Sequence, residues 1–98
     1  MTSSTAPQTV TFSTRLEGER LADLTGLVER ALLDLGGTAV ASLAADVAAP
    51  ARTGEAVSVS ATVDRATRTL IFARADIRRE SDQQLLLPAQ AVLKVPIR

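Results

Sequence analysis

Residues 20–35 read RLADLTGLVERALLDL, and this stretch decides the fold. Leu21, Leu24, Val28, Ala31 and Leu35 recur at helical spacing, with Leu27 and Leu32 widening the same apolar face. Arg20, Asp23, Arg30 and Asp34 fall elsewhere. Glu19 and Asp23 stand in the first turns, where carboxylates meet the positive end of the helix dipole. Gly36 and Gly37 form the stop signal, because glycine takes the left-handed cap conformation without strain. Gly26 sits in mid-helix at a cost of about 1 kcal/mol relative to alanine. The reading adopted for it is close approach of the helix backbone to a sheet.

Outside this segment the chain alternates. Val10, Phe12 and Leu16 alternate with polar residues ahead of the helix, with Thr14 the polar exception on the apolar side. After it, Ala39, Ala41, Leu43, Ala45 and Val47 alternate with Thr38, Val40, Ser42, Ala44 and Asp46. Alanine is a poor strand former, so a helix over residues 38–49 is a competing reading; the double glycine before and Pro50 after favour a strand. Val57, Val59, Ala61 and Val63 mark a third strand, Ile71, Ala73, Ala75 and Ile77 a fourth. Leu85, Leu87, Ala89, Ala91, Leu93 and Val95 mark a fifth, with Pro88 predicting a bulge or unpaired position there. One helix among five strands must bury its stripe against the sheet. The expected class is α+β, a five-stranded antiparallel sheet wrapped around one central helix in the order β-α-β-β-β-β. Val40, Ala44, Leu70, Phe72, Leu86 and Val92 fall on the nominally polar faces; gathered there, they would form a patch pointing to a homodimer or a dimer of dimers.

Composition narrows the functions. Among 98 residues, 46% are apolar and 2% aromatic, so the core is aliphatic. Eleven acids balance eleven bases, which argues against nucleic acid or an anionic membrane as partner. With no cysteine and no histidine, disulfides, thiolate metal sites, a cysteine nucleophile and the commonest general base are all excluded. No metal and no cofactor is expected. Residues 1–8 read as a flexible lead-in without signal-peptide character, residues 9–98 as one domain, and the expected location is the cytoplasm.

Three stretches carry a family likeness. Residues 50–55, Pro-Ala-Arg-Thr-Gly-Glu, are similar to the segment that opens the long central hairpin of hotdog thioesterases. Residues 65–70, Arg-Ala-Thr-Arg-Thr-Leu, resemble their Arg-x-Gly-Arg-x-Leu turn, with Thr67 where glycine is usual. Residues 89–95 look like their closing strand. The resemblance to the hotdog fold, of the acyl-CoA thioesterase-like kind, spans residues 36–95 with residues 20–35 as the enclosed helix. It implies a dimer joined through the strand after the helix, with an acyl-CoA or acyl-carrier thioester lying along the interface. The chain departs from the pattern in two ways. Only residues 17–20 separate Leu16 from Leu21, where the family has a longer loop, and the histidine needed by hydratase relatives is missing.

For a thioesterase a carboxylate must activate water while N–H donors hold the oxyanion. The candidates are Glu29, since some hotdog enzymes carry a catalytic glutamate on the central helix, together with Glu17 and Glu19 near the helix start. Each also has a plainer reading: Glu29 as a solvated acid beside Arg30, Glu17 and Glu19 as dipole partners, and Asp23 as a solvated polar-face residue. Arg52, Arg74 and Arg78 are candidate contacts for CoA phosphates, because guanidinium pairs bidentately with phosphate; Asp76 and Glu80 nearby suit an ordinary solvated face instead. The expected function is hydrolysis or binding of acyl thioesters, the alternative a catalytically silent hotdog serving as a ligand-binding or assembly module. A cystatin-like fold shares the element order and is the alternative architecture, though the Gln-x-Val-x-Gly hairpin motif is missing.

Overall fold

The computed structural model describes residues 9–95; the expected lead-in, residues 1–8, lies outside them, as do residues 96–98. The elements are β1 (Thr9–Arg15), α1 (Leu21–Leu33), β2 (Ala39–Ala45), β3 (Ala56–Ala66), β4 (Leu70–Arg79) and β5 (Leu85–Lys94). The strands form one antiparallel sheet in the order β1-β3-β4-β5-β2, and α1 packs against all five. Leu24, Val28, Ala31 and Leu32 of the helix are buried, joined by Leu35 just beyond it. They meet Val57, Val59, Ala61, Ile71, Ile77, Leu87 and Leu93 from the inner face of the sheet. Leu21, expected in this stripe, is 50% exposed as the first residue of the helix.

The double glycine divides its labour. Gly36 has φ 109°, the left-handed conformation that ends the helix. At Gly37 a Cβ would stand 2.9 Å from the Leu93 Cβ, so that residue is small because the chain crosses close over β5. At the β3–β4 turn, the Thr67 hydroxyl accepts the Leu70 N–H at 3.0 Å, and Thr67 N–H donates to the Leu70 carbonyl at 2.7 Å. A side-chain oxygen thus stabilises this turn where the family pattern has glycine.

Residues 38–49 do not coil: Ala39–Ala45 is a strand on the sheet edge, paired with β5. Its pattern differs from strict alternation. A register shift between Val40 and Ser42 makes Ala41 the extra residue of a bulge, so Val40 packs towards the core while Ala39 and Ala41 are exposed. Val47, expected inside, lies past the strand and is 60% exposed. The bulge of β5 falls at Leu86, between the pairs Ile77–Leu87 and Arg78–Leu85, so Leu86 and Leu87 are both buried. Pro88 remains in the ladder opposite Asp76; its carbonyl accepts the Asp46 N–H just beyond the last residue of β2. A missing N–H is cheap there, because β2 has ended. With Val40 and Leu86 turned inward, the apolar patch expected on the outer face reduces to Ala44, Leu70, Phe72 and Val92. Arg65 covers part of it, its guanidinium 4.7 Å from the Phe72 ring centroid.

Candidate active site

The inner stripe of α1 leaves Ala22, Asp23, Gly26, Glu29 and Arg30 exposed. Glu29 forms no ion pair among the described residues. Its neighbour Arg30 folds over β1 instead, 4.2 Å from the Phe12 ring centroid. Gly26, one turn before Glu29, is exposed, and outside its own helix no atom lies within 4 Å of where its Cβ would stand. The close approach to the sheet expected for it does not occur: its face of the helix points away from the strands.

The helix start is held by its own acids. Arg20 N–H donates to Asp23 Oδ2 at 3.0 Å, and Asp23 N–H returns to the Arg20 carbonyl at 3.0 Å. A Cβ at Gly18 would meet the Asp23 carboxylate, so a larger residue there would push aside the side chain that caps the helix. Glu19 reaches across to the loop before β3, accepting the Thr53 N–H at 2.9 Å and the Thr53 hydroxyl at 3.2 Å. Glu17 is exposed, with no ion pair among the described residues. The structure therefore brings Glu19 together with the Arg52 loop, engages both Asp23 and Glu19 in local bonds, and leaves Glu17 and Glu29 free.

The Arg52 loop is anchored from beneath. Arg79 donates to Glu55 Oε2 at 2.6 Å, to the Pro50 carbonyl at 3.0 Å and to Asp82 at 3.1 Å. The Arg52 N–H on Glu55 Oε1, followed by Arg79, holds the Glu55 carboxyl below its ordinary pKa. The Gln84 N–H does the same for Asp82, with Arg79 adding to it, and Glu55 raises Arg79 above the usual arginine value. This junction escaped the sequence reading, which took residues 50–55 on their own. Arg79 carries no local sign that it will reach Glu55, 24 positions away.

Arg74 and Arg78 stand on the outer face, alternating with the core residues Ala73, Ala75 and Ile77. Arg74 pairs with Asp64 at 2.8 Å; Arg78 lies 4.0 Å from Asp76 and donates to the Gln83 carbonyl. They border a groove of about 490 Å³ whose walls include Ser60, Thr62, Asp76 and Gln90. Within one chain the sheet separates this pair of arginines from Glu29. Arg52 is exposed at the loop end of the molecule.

The model of the thioesterase superfamily matches residues 24–86, more than half of the chain. The chain belongs to the thioesterase superfamily. The fold of this thioesterase-superfamily protein is the hotdog, as solved structures confirm. Zebra fish thioesterase superfamily member 2 superposes with TM-score 0.81 at 19% identity, covering 95% of this chain and 78% of that one. A hypothetical thioesterase protein from Streptococcus pneumoniae, solved with coenzyme A, gives TM-score 0.80 at 13% identity over 91% and 79% of the two chains. A Streptococcus mutans protein bound to acetyl CoA gives 0.80 at 13% identity over 96% and 86%. Comparison with curated proteins finds no match. The cystatin-like alternative falls with these results. The superfamily match includes Glu29, Arg52, Arg74 and Arg78 and begins after Glu17 and Glu19.

Proposed function

We propose that this hotdog protein hydrolyses acyl-CoA or acyl-carrier thioesters, with Glu29 as general base, at an interface between two copies of the chain. The observation that carries this reading is the state of Glu29: of the candidate acids it alone is free, exposed and inside the span matched by the thioesterase superfamily. Its carboxylate would take a proton from water as the water oxygen attacks the thioester carbonyl. Backbone N–H groups would hold the oxyanion, and the proton would pass to the departing thiolate sulfur. The N–H groups of Leu21 and Ala22 have no acceptor among the described residues and suit the oxyanion. The first of them lies eight residues from Glu29, about 12 Å along the helix at 1.5 Å per residue. One chain cannot apply both to one carbonyl, and this supports a site completed by a second copy. The free edge of β2, with its alanines, favours joining the copies there. CoA bound to structural neighbours supports a CoA thioester as substrate. Arg52, Arg74 and Arg78 are the phosphate contacts proposed for it, since guanidinium pairs bidentately with phosphate.

The second reading, a catalytically silent hotdog that binds a ligand or assembles, is favoured by the short connection at residues 16–20 and the missing histidine. Assay of the purified protein against a panel of acyl-CoAs separates the two. Turnover that falls at least ~100-fold in Glu29→Gln, in keeping with the usual size of general-base effects, supports the hydrolase. Saturable binding without turnover supports the silent module, and neither in any acyl-CoA sinks both.

A further inference from the structure

Gly26 is unexplained by the folded subunit. It weakens the helix, yet nothing packs where its side chain would be, so alanine would fit with no cost to the fold. Its position supplies a reason. Gly26 and Glu29 are three residues apart, hence neighbours on one helix face. Helical side chains lean towards the N-terminus, so the Glu29 side chain leans over the turn that Gly26 leaves bare. The result is a bare stretch of helix backbone one turn before a free carboxylate, with no side chain within 4 Å of where a Gly26 Cβ would stand. Resting on the thioester reading above, we infer that Gly26 determines access to the reacting centre: the thioester carbonyl and its attacking water lie against the bare backbone at Gly26, and a side chain there takes their place. The residue is a positioning element, acting through the space beside Glu29.

The test compares Gly26→Ala and Gly26→Leu with the natural protein in acyl-CoA turnover, acyl-CoA binding, binding of CoA without an acyl group, thermal melting and light scattering. Gly26→Ala is expected to melt about 4–8 °C higher, from the gain in helix propensity, while kcat/KM falls at least ~10-fold, about the effect of misplacing a reacting group. Gly26→Leu is expected to lose more, whereas both variants keep the assembly state and bind unacylated CoA as the natural protein does. If the natural protein binds without turnover, the same graded loss appears in the acyl-CoA Kd. Variants as active as the natural protein overturn the inference alone. So does equal loss of CoA and acyl-CoA binding, or a change of assembly with activity per subunit intact. A natural protein that neither turns over nor binds any acyl-CoA overturns the underlying reading as well.

Discussion

Glu55 shows how one carboxylate can tie pH to folding. The Arg52 N–H and the Arg79 guanidinium favour its charged form, so its folded pKa lies below the ordinary value of 4.5. A depressed carboxylate pKa contributes stability that is fully present above the unfolded value. As pH falls below that value the unfolded chain binds the proton first, and the contribution is lost as pH passes through the folded pKa. Asp82 acts in the same direction, its pKa lowered first by the Gln84 N–H. Glu55→Gln is therefore expected to melt below the natural protein at pH 7, with the gap narrowing as the pH drops below about 4.5. Melting curves from pH 7 to pH 3 check this; a gap that stays constant across the range would assign the loss to packing. The same residue bears on function, because Glu55 and Arg79 hold the loop that presents Arg52 and contacts Glu19.

At the scale of elements, the helix stands or falls with its buried stripe. Leu32 and Val28 are fully buried beneath the sheet, whereas Leu21 is half exposed. Leu32→Ala is expected to cost about 2–5 kcal/mol in urea denaturation, the range for deleting a buried leucine. Leu21→Ala should cost less than half as much, and similar losses at the two sites would contradict the packing described. This stripe was legible in the sequence because a 3.6-residue period survives every local detail. The strands were legible for the same reason, through their two-residue period, but their bulges were not. One extra residue at Ala41 turns Val40 inward, and one at Leu86 buries two adjacent leucines, yet neither leaves a mark in a pattern of apolar residues alone. Pro88 pointed to an irregularity two positions from where it occurs. Of the candidate site, the placement of Glu29 on the helix was legible. That Glu19 is held by Thr53, and that Gly26 faces open space, depend on tertiary geometry that spacing does not encode.

The whole molecule is a thin slab, 43 × 26 × 18 Å, with helix on one side and an open sheet face on the other. Such a shape leaves two strand edges, β1 and β2, unpaired among the described residues. Long edges left bare invite pairing, and protein edges are usually blunted by charge, proline or a covering element. β2 has no charged residue within it and carries small side chains, so a second copy can approach closely along it. The proposed site also requires that copy, since one chain places the helix N-terminus about 12 Å from Glu29. Assembly and activity should then fail together. Ala41 is exposed at the β2 bulge, and a lysine there would bring like charges together across a two-fold axis while leaving the core untouched. Ala41→Lys is expected to halve the mass seen by light scattering, retain the circular dichroism of the natural protein and lose acyl-CoA turnover. A natural protein that is already monomeric yet active would refute the shared site. An Ala41→Lys protein that stays dimeric and active would place the contact elsewhere than β2.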